Sequence, residues 1–499
     1  MDDVQDRDVL KVGARKQLFI DRRFFHRASG MSLRMNIPYQ SPEPVLQADR
    51  PWEALGIGGY NTVLREGDGR FRLWYAAKMK AGLPQEGAVR LCYAESEDGV
   101  FWQKPELGLV SFAGSRANNI VAPLDECQSM QGATVYVDER AAEEARYWLW
   151  SKFQPRDDEV KSGILPGLWA MHSPDGLHWT YEAGQPNPPG QMCDTQNVFF
   201  WDDRLDLYVG YTRVHETQRR DEAAEAKFGK RYRSVGRITS SDFRTWSETQ
   251  IVLEADALDL SMPVPPGTVL EKPQVDFYTN AVFKHPETED AYFMMPAAYY
   301  HWGENDFPAT MDVQLLTSRD GISWERQGDR EPFLRRGLDG TASGGMVMAN
   351  VWPVFTDTET WIYYSGRGSH HGVANPDGSN TGLFRAVLRR DGFVSADAGF
   401  VGGEFVTPPL DFDGGELELN VDCGGGGWVR VELQDIDGRG LEGYELKDCE
   451  TVTANAIQAR VGWKGSGCRI PVDGQPVRLR VVMRSAKLYS FRFVNRAAG

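Results

Sequence analysis

Short hydrophobic runs recur in a fixed order between residues 60 and 395. The first set consists of "YNTVLRE" (60–66), the aromatic run "FRLWYAA" (71–77) and "VRLCYAE" (89–95), and the same order returns four more times. These runs are rich in β-branched and aromatic residues and are bounded by Gly, Asp and Pro, which is typical of strands. Convincing helical periodicity is almost absent from this region. The pattern therefore predicts a structure built almost entirely from β-strands.

A seven-residue motif follows the third run of each set. Its form S-x-D-G-x-x-W occurs as "SEDGVFW" (96–102), "SPDGLHW" (173–179) and "SRDGISW" (318–324), with degenerate copies "SSDFRTW" (240–246) and "RRDGFVS" (389–395). Asp and Gly suit a tight turn between strands, and the Ser and Asp side chains can bind the amides of that turn. The Trp is expected to pack between neighbouring sheets. We interpret the motif as a structural turn that counts five repeats.

Each repeat contains three strand patterns, and a fourth follows the Trp, most clearly in "SETQIVLE" (247–254). Four strands per repeat predict a four-stranded antiparallel sheet, and five such sheets arranged radially form a β-propeller. The segment "LFIDRRFF" (18–25) is expected to close the last sheet as an added N-terminal strand. After residue 399 the runs alternate cleanly, which predicts a β-sandwich. The predicted fold class is all-β: a five-bladed β-propeller (1–400) followed by a C-terminal β-sandwich (401–499).

Composition and charge narrow the classes of partner. The chain has 499 residues and a net charge of −16, which argues against nucleic acid or an anionic membrane as the main partner. Six sparse cysteines without a CxxC pair fit free thiols better than disulfides or a zinc site. The 57 aromatic residues suit both strands and clefts that stack against sugars. A neutral or weakly polar small substrate is the expected partner.

Targeting signals and several catalytic motifs are absent from the sequence. The acidic start "MDDVQDRDVLKVG" has no apolar signal region and no apolar run is long enough to span a membrane, so a cytoplasmic location is expected unless a leader was trimmed. No Walker loop, GxSxG or HExxH motif occurs, which gives nucleotide, acyl-transfer and zincin chemistry no support. The charged stretch 217–233 is interpreted as a solvated flap or a contact between copies in a homo-oligomer.

The candidate catalytic residues are carboxylates near the starts of the first strands, because these starts converge on one face of a propeller. Asn61, Thr134, Asn197, Asn280 and Asn350 align on those strands as structural or substrate-binding positions. Asp194 precedes Asn197 by three residues, and Asp276 precedes Asn280 by four. Apolar and neutral neighbours of Asp194 and Asp276 could raise their pKa by burial. Glu53, the third catalytic candidate, lies on the loop before Asn61, and Glu271, on the loop before Asn280, is a candidate substrate-binding residue.

The loops that follow the aromatic strands supply candidate substrate-binding residues. Histidine and Arg suit hydroxyl or carboxylate recognition, and Trp offers a flat face to a sugar ring. The candidates in these loops are Arg213, His301, Trp302, Glu304, Arg367, His370 and His371, and Tyr278, two residues after Asp276, is a further candidate.

Five blades with S-x-D-G-x-x-W turns and a C-terminal sandwich resemble glycoside hydrolase families 32, 43, 68, 117 and 130, of which family 32 supplies the sandwich. The resemblance covers nearly the whole chain at the level of architecture. The family 32 catalytic motifs do not occur intact, and the closest match is "MCDT" (192–195), with Asp194 where that family places its acid/base glutamate. The chain is therefore similar to a distant member of this superfamily. No cofactor is expected; a channel Ca²⁺ is compatible with the superfamily, and the sequence identifies no ligands for one.

The resemblance implies a glycosidase that uses two carboxyl groups to cleave a glycosidic bond. A furanoside is among the candidate substrates. A second interpretation is a family-130-like phosphorylase in which Arg213 and Arg367 would hold phosphate. A third is a non-catalytic carbohydrate-binding propeller. The sequence does not divide the roles of acid, base and nucleophile among the carboxylates, because that depends on a three-dimensional distance.

Overall fold

The computed structural model of the chain contains strands and almost no helix. It describes residues 9–79, 89–122, 129–154, 163, 167–182, 188, 195–214, 233–262, 274–301, 309–371, 373, 380–470 and 474–495. Within these ranges the helical elements are single 3-10 turns at Pro51–Glu53, Glu143–Ala145, Asp259–Ser261 and Gly328–Arg330. No helix in the described ranges is long and apolar enough to cross a bilayer. The all-β prediction is confirmed.

The first three repeats each form a separate four-stranded antiparallel sheet, in which neighbouring strands follow one another in the chain. The strands of the first sheet are Thr62–Arg65, Phe71–Lys78, Val89–Ser96 and Ile120–Ala122. Those of the second are Ser129–Val137, Tyr147–Gln154, Gly167–Ser173 and Thr180–Tyr181. Those of the third are Val198–Asp202, Leu207–Val214, Ser234–Ser240 and Gln250–Leu253.

The strands of the fourth repeat are interrupted, so that they divide between two sheets. One half is a four-stranded sheet of Phe283–Lys284, Tyr292–Met294, Leu316–Ser318 and Glu325–Arg326. The other half consists of Gln274–Phe277, Ala297–His301 and Ala309–Val313. Pro296 lies at the interruption between Tyr292–Met294 and Ala297–His301, where it has no amide proton to donate to a ladder.

The fifth repeat joins this second half in an eight-stranded sheet. Its own strands are Met346–Ala349, Val354–Phe355, Glu359–Arg367 and Thr381–Arg389. Tyr39–Gln40 pairs with Ala386 and Val387 and completes the sheet at its outer edge. The closing strand is therefore contributed by the N-terminal part of the chain, as expected, but by residues 39–40 and not by residues 18–25.

The turns formed by the seven-residue motif S-x-D-G-x-x-W, here called heptad turns, connect the repeats in chain order. The Trp74 indole donates to the Gly176 carbonyl at 2.7 Å, and the Tyr211 hydroxyl donates to the Gly321 carbonyl at 2.8 Å. The last such contact, from Tyr363 to Gly99, joins the fifth repeat to the first. The described sheets thus have a propeller-like arrangement, and the count of five blades stays a prediction.

The turns themselves have the geometry expected from the sequence. In "SPDGLHW" the Ser173 hydroxyl donates to the Asp175 carboxylate at 3.1 Å and accepts the Gly176 amide at 2.9 Å. Gly176 has φ +73°, a conformation that favours glycine. The heptad Trp246 lies 4.9 Å from Trp150 of the preceding repeat, measured between ring centroids. The interpretation of the heptad as a structural turn is confirmed.

The C-terminal region forms a second eight-stranded sheet that also takes in N-terminal strands. Its strands are Gln17–Leu18, Arg27–Ser29, Met31–Met35, Val394–Ala398, Gly403–Val406, Glu416–Gln434, Asn455–Arg460 and Arg478–Val494. Leu10–Lys11 and Leu410–Asp411 add a short parallel pair. Phe19 and Phe24 are buried in the core of this region, together with Phe405 and Phe491. The aromatic side chains of residues 18–25 therefore pack here, whereas Leu18 and Ile20 are buried in a core of the fourth and fifth repeats. The predicted division of the chain at residue 400 stays a prediction.

Candidate functional site

A cavity of about 360 Å³ lies where the first strands of several repeats begin and the second strands end. Tyr60, Gln131 and Tyr278 come from the first-strand side, and Lys78 and Arg367 are the last residues of second strands. Converging strand ends were expected on one face of the propeller, and this cavity is where they meet. Its volume is in the range of small-molecule sites.

The lining of the cavity combines two kinds of side chain. The apolar residues are Leu55, Ile57, Tyr60, Met346 and Met348. The polar residues are Lys78, Gln131, Tyr278, Ser365, Arg367, His371 and Thr381. A lining with both kinds suits a ligand that has C–H faces and several hydroxyl groups.

His371 lies between two tyrosines at the edge of this cavity. Its Nε2 is 3.1 Å from the Tyr278 hydroxyl, and its Nδ1 is 3.1 Å from the Tyr299 hydroxyl. The His371 amide also donates to the carbonyl of Ala309 at 3.1 Å, which fixes its backbone to a strand of the fourth repeat. Tyr278 is partly exposed and lines the cavity, whereas Tyr299 is fully buried.

Two guanidinium groups flank Tyr278. The Cζ atom of Arg213 lies 4.3 Å from the centroid of the Tyr278 ring, and the Cζ atom of Arg233 lies 5.2 Å from it. Arg213 also donates from Nη2 to the Tyr278 carbonyl at 2.6 Å. Both cations therefore position the ring and place positive charge beside it.

Asp276 holds Arg233 in this place. Its Oδ2 accepts from Nη1 of Arg233 at 2.9 Å and from the Arg233 amide at 3.3 Å. The residue is 2% exposed and is not among those that line the cavity. This geometry favours a positioning role for Asp276 over direct contact with a substrate.

Lys78 and Arg367 bring two positive charges to the cavity. Burial and the nearby Arg367 guanidinium lower the pKa of Lys78, and burial also lowers the pKa of Arg367. Among the described residues, neither side chain forms an ion pair with a carboxylate. Arg367 donates to Ser369 Oγ at 2.6 Å and to the Val373 carbonyl at 2.5 Å. Among the described residues that line the cavity, the ionised side chains are therefore cationic, within a protein of net charge −16.

Glu53 lies beneath the cavity in a closed network. Its carboxylate accepts from the Tyr75 hydroxyl at 2.5 Å, from Lys104 Nζ at 2.8 Å and from the Asp49 amide at 2.8 Å. The residue is fully buried and does not line the cavity, although Leu55 and Ile57 of the same loop do. The geometry favours Glu53 as a residue that fixes this loop.

The aligned asparagines are buried within the sheets. Asn61 donates to the Ser365 hydroxyl at 2.9 Å and accepts the Ala76 amide at 3.0 Å. Asn197 donates to the Thr195 carbonyl at 2.9 Å. Neither lines the cavity, and their contacts fit the structural interpretation of this position. His370 adjoins His371 in the chain but is not a lining residue.

Several candidate residues lie outside the described part of the chain: Asp194, Glu271, Trp302 and Glu304. His301 ends the strand Ala297–His301, and its side chain is likewise outside the described part. Thr195, which directly follows Asp194, donates from its hydroxyl to the Tyr278 carbonyl at 2.7 Å.

The sequence did not single out Lys78, Gln131, Tyr299 or Arg233. Lys78 and Arg367 occupy the same place at the ends of second strands, so aligning strand ends between repeats could have identified Lys78. No comparable signal marked Arg233, because its importance depends on the ion pair with Asp276.

One group of metal-ligating side chains occurs within the described ranges, away from the cavity. The ligand atoms of His285, Glu287 and Asp391 lie within 4.8 Å of one another. Lys16 Nζ lies 3.0 Å from Asp391 and 2.5 Å from Glu287, so an ammonium group already supplies the positive charge. Asp391 also accepts from the Ser490 hydroxyl at 2.9 Å. The group therefore fits a buried ion network between the fifth heptad and the C-terminal sheet.

Comparison with known proteins finds similar solved structures but no match to a family model or to a curated protein. An N-acetylgalactosamine deacetylase from F. plautii, in complex with blood group B trisaccharide, is 16% identical with a TM-score of 0.44; the match covers 72% of this chain and 96% of that one. A glycosyl hydrolase from Bacteroides ovatus is 13% identical with a TM-score of 0.40, over 76% of this chain and 94% of that one.

A β-1,2-mannobiose phosphorylase from Listeria innocua, in complex with β-1,2-mannobiose, is 13% identical with a TM-score of 0.41; the match covers 71% of this chain and 97% of that one. All three identities are below 25% and all three TM-scores are below 0.5, so reaction and residues rest on the cavity alone.

Proposed function

We propose that this chain is a carbohydrate-active enzyme that cleaves a glycosidic bond, with the sugar bound in the cavity at the strand ends. The observation that carries the proposal is the mixed lining of that cavity. A sugar ring has C–H groups on its faces and hydroxyl groups at its edge. Tyr60 and Met348 offer apolar contacts, and Gln131, Tyr278 and His371 offer hydrogen-bonding groups.

Hydrolysis is the first proposed reaction, with water attacking the anomeric carbon. Glycoside hydrolysis generally uses an acid and a base or nucleophile, most often two carboxyl groups. We propose Asp194 as the reacting carboxylate. It precedes Thr195, which binds the backbone of Tyr278, and this proximity in the chain supports the assignment. We propose that Asp276 positions Arg233 and that Glu53 fixes the loop that carries Leu55 and Ile57.

Phosphorolysis is the second candidate, favoured by Lys78 and Arg367. Two cations without a carboxylate partner among the described residues suit an oxyanion, and inorganic phosphate would take the place of water. Together with Arg213 beneath Tyr278, these residues give the cavity a positive potential that attracts anions.

A panel of aryl glycosides, each assayed with and without inorganic phosphate, tests both reactions. Release of free sugar that does not depend on phosphate supports hydrolysis, and formation of a sugar phosphate supports phosphorolysis. Asp194→Asn should lower turnover by about 10²–10⁴-fold, while Asp49→Asn at the exposed end of the Lys104 ion pair serves as the control. Sugar binding without any cleavage would instead support a carbohydrate-binding protein.

A further inference from the structure

We propose that the Tyr278 hydroxyl gives the proton to the departing glycosidic oxygen, and that His371 returns a proton to Tyr278. The inference rests on the proposed function and assigns the role of general acid in that reaction to a phenol instead of a carboxyl group. Three observations carry it: the exposure of Tyr278 to the cavity, the hydrogen-bonded chain through His371, and the positive charges beside the Tyr278 ring.

Of the two tyrosines hydrogen-bonded to His371, Tyr278 is the one that can reach a ligand in the cavity. Its side chain lines the cavity, whereas the Tyr299 hydroxyl belongs to a fully buried residue at the other end of the imidazole. A general acid must lie within hydrogen-bond reach of the atom that it protonates. Of the two tyrosines that bind His371, Tyr278 alone satisfies this requirement.

His371 can replace the proton that Tyr278 loses. A neutral imidazole donates from one nitrogen and accepts at the other, so the two tyrosine hydroxyls take opposite roles at distances of 3.1 Å each. When the phenol proton leaves, an imidazole N–H at Nε2 can be passed to the phenolic oxygen. His371 takes up at Nδ1 the proton that the attacking water releases, while the Tyr299 hydroxyl turns to accept a hydrogen bond from Nδ1. Tyr278 and His371 thus form a relay with one end in the cavity.

The two guanidinium groups stabilise the charge that this transfer creates. As the proton moves, negative charge develops on the phenolic oxygen, and Arg213 and Arg233 lie 4.3 and 5.2 Å from the centre of its ring. Fixed cations that face developing charge lower the barrier in a site from which water is partly excluded. Asp276 acts through Arg233, because its ion pair holds that guanidinium beside the ring.

The step balances in atoms and charge. The bond between the anomeric carbon and the glycosidic oxygen breaks, its electron pair goes to that oxygen, and the Tyr278 proton joins it to form the leaving alcohol. In hydrolysis, water forms the new bond to the anomeric carbon and releases one proton. That proton binds His371 as the Nε2 proton passes to Tyr278, and exchange with solvent at the partly exposed His371 restores the starting tautomer.

Tyr278→Phe tests the role because it removes the hydroxyl and keeps the ring. A methyl glycoside needs its leaving oxygen protonated, whereas a 2,4-dinitrophenyl glycoside leaves without a proton. For a sugar that the wild-type protein cleaves, we expect kcat on the methyl glycoside to fall by about 10²–10⁴-fold and kcat on the dinitrophenyl glycoside to fall by less than about 10-fold.

Tyr299→Phe is the matched comparison, since it removes the other hydroxyl that binds His371 but none that lines the cavity. We expect a smaller loss that is equal for both leaving groups. In His371→Gln the new side chain can bind Tyr278 but cannot pass a proton between two nitrogens. This variant should show the same leaving-group selectivity as Tyr278→Phe. It also provides the test if Tyr278→Phe does not fold.

Equal losses on both leaving groups in Tyr278→Phe and His371→Gln, or no loss on the methyl glycoside, would overturn the inference while leaving glycoside cleavage intact. A wild-type protein that cleaves no glycoside would overturn the proposed function, and this inference with it. Circular dichroism and the melting temperature of each variant show whether a loss comes from unfolding.

Discussion

The Tyr363 hydroxyl donates a 2.8 Å hydrogen bond to the carbonyl of Gly99. Tyr363 belongs to the second strand of the fifth repeat, and Gly99 belongs to the heptad turn of the first. The ring of Trp361 stacks on Phe71 at 5.5 Å across the same junction. These contacts join repeats that are more than 250 residues apart in the chain.

Tyr363→Phe should lower the free energy of unfolding by about 1–3 kcal/mol, because the buried carbonyl of Gly99 loses its donor. Urea denaturation measures the effect, with Tyr39→Phe as the control, since Tyr39 is 70% exposed. Equal stabilities of the two variants would contradict a closing role.

Gly99→Ala probes the same junction by overpacking. A Cβ at Gly99 would lie 2.5 Å from the Tyr363 hydroxyl, whereas one at Gly108, with the same φ of +71°, would meet nothing within 4 Å. Both variants carry the strain of a left-handed alanine, about 1 kcal/mol. Gly99→Ala should cost a further 1–3 kcal/mol, roughly, in the same measurement.

Glu53→Gln should reduce stability more than turnover. Lys104, whose side chain is 4% exposed, loses its buried partner, and breaking such a pair costs about 3–5 kcal/mol. Asp49→Asn removes the exposed partner of the same lysine and should cost less than about 1 kcal/mol. We expect kcat of the folded Glu53→Gln protein to change by less than about 10-fold. A loss of more than about 10³-fold at unchanged stability would instead place Glu53 in the chemistry.

The buried network around Asp391 should govern stability in acid. Burial opposes ionisation, but hydrogen bonds and charges from His285 and Lys16 hold the pKa of Asp391 well below its ordinary value. A carboxyl with a lowered folded-state pKa contributes stability above its unfolded pKa of about 3.9, and the contribution is lost as the pH falls below that value.

Asp391→Asn should therefore flatten the decline in unfolding free energy between about pH 5 and pH 2, measured by urea denaturation. Lys16→Met leaves the buried carboxylate without its ammonium and should cost about 3–5 kcal/mol at pH 7. The neighbouring Arg15→Met, which affects an exposed pair with Asp203, should change stability by less than about 0.5 kcal/mol. An unchanged acid slope in Asp391→Asn would argue against this role.

Asp312 should have the opposite pH dependence. Burial raises its pKa to about 7, so the folded protein favours the protonated form. This contribution to stability is complete below the unfolded pKa of about 3.9 and is lost as the pH rises through 7. Asp312→Asn should therefore be more stable than the wild type at pH 8. The difference in unfolding free energy should reach up to a few kcal/mol, at about 1.4 kcal/mol per unit of pKa shift. It should vanish near pH 4. Asp339→Asn, at a side chain that is 97% exposed, should show no such trend.

The repeat architecture could be predicted because its signals are local. The heptad turn needs Ser, Asp and a residue with positive φ in a fixed order, and these requirements are visible in seven residues. The closing strand was misplaced for a related reason. The sequence of residues 18–25 is more typical of a strand than that of residues 39–40. The apolar Phe19 and Phe24 that give this pattern instead fill the core of the C-terminal region.

The site was only partly predictable. Tyr278, Arg367 and His371 were selected from the sequence and line the cavity, because their loops follow strands that end on one face. Asp276 lies in the strand Gln274–Phe277 and Glu53 in the 3-10 turn Pro51–Glu53, and both are buried in ion pairs with Arg233 and Lys104. A sequence shows where a charged residue lies along a strand and does not show which partner holds it.

The N-terminal strands have a consequence for biosynthesis. Tyr39–Gln40 pairs with residues 386–387, and Gln17–Leu18 pairs with residues 490–491. During translation these early strands leave the ribosome long before their partners exist, so one sheet stays incomplete until residues 386–387 are made and the other until residues 490–491 are made. Such late closure leaves unpaired edges exposed, which favours misfolding and dependence on chaperones during synthesis.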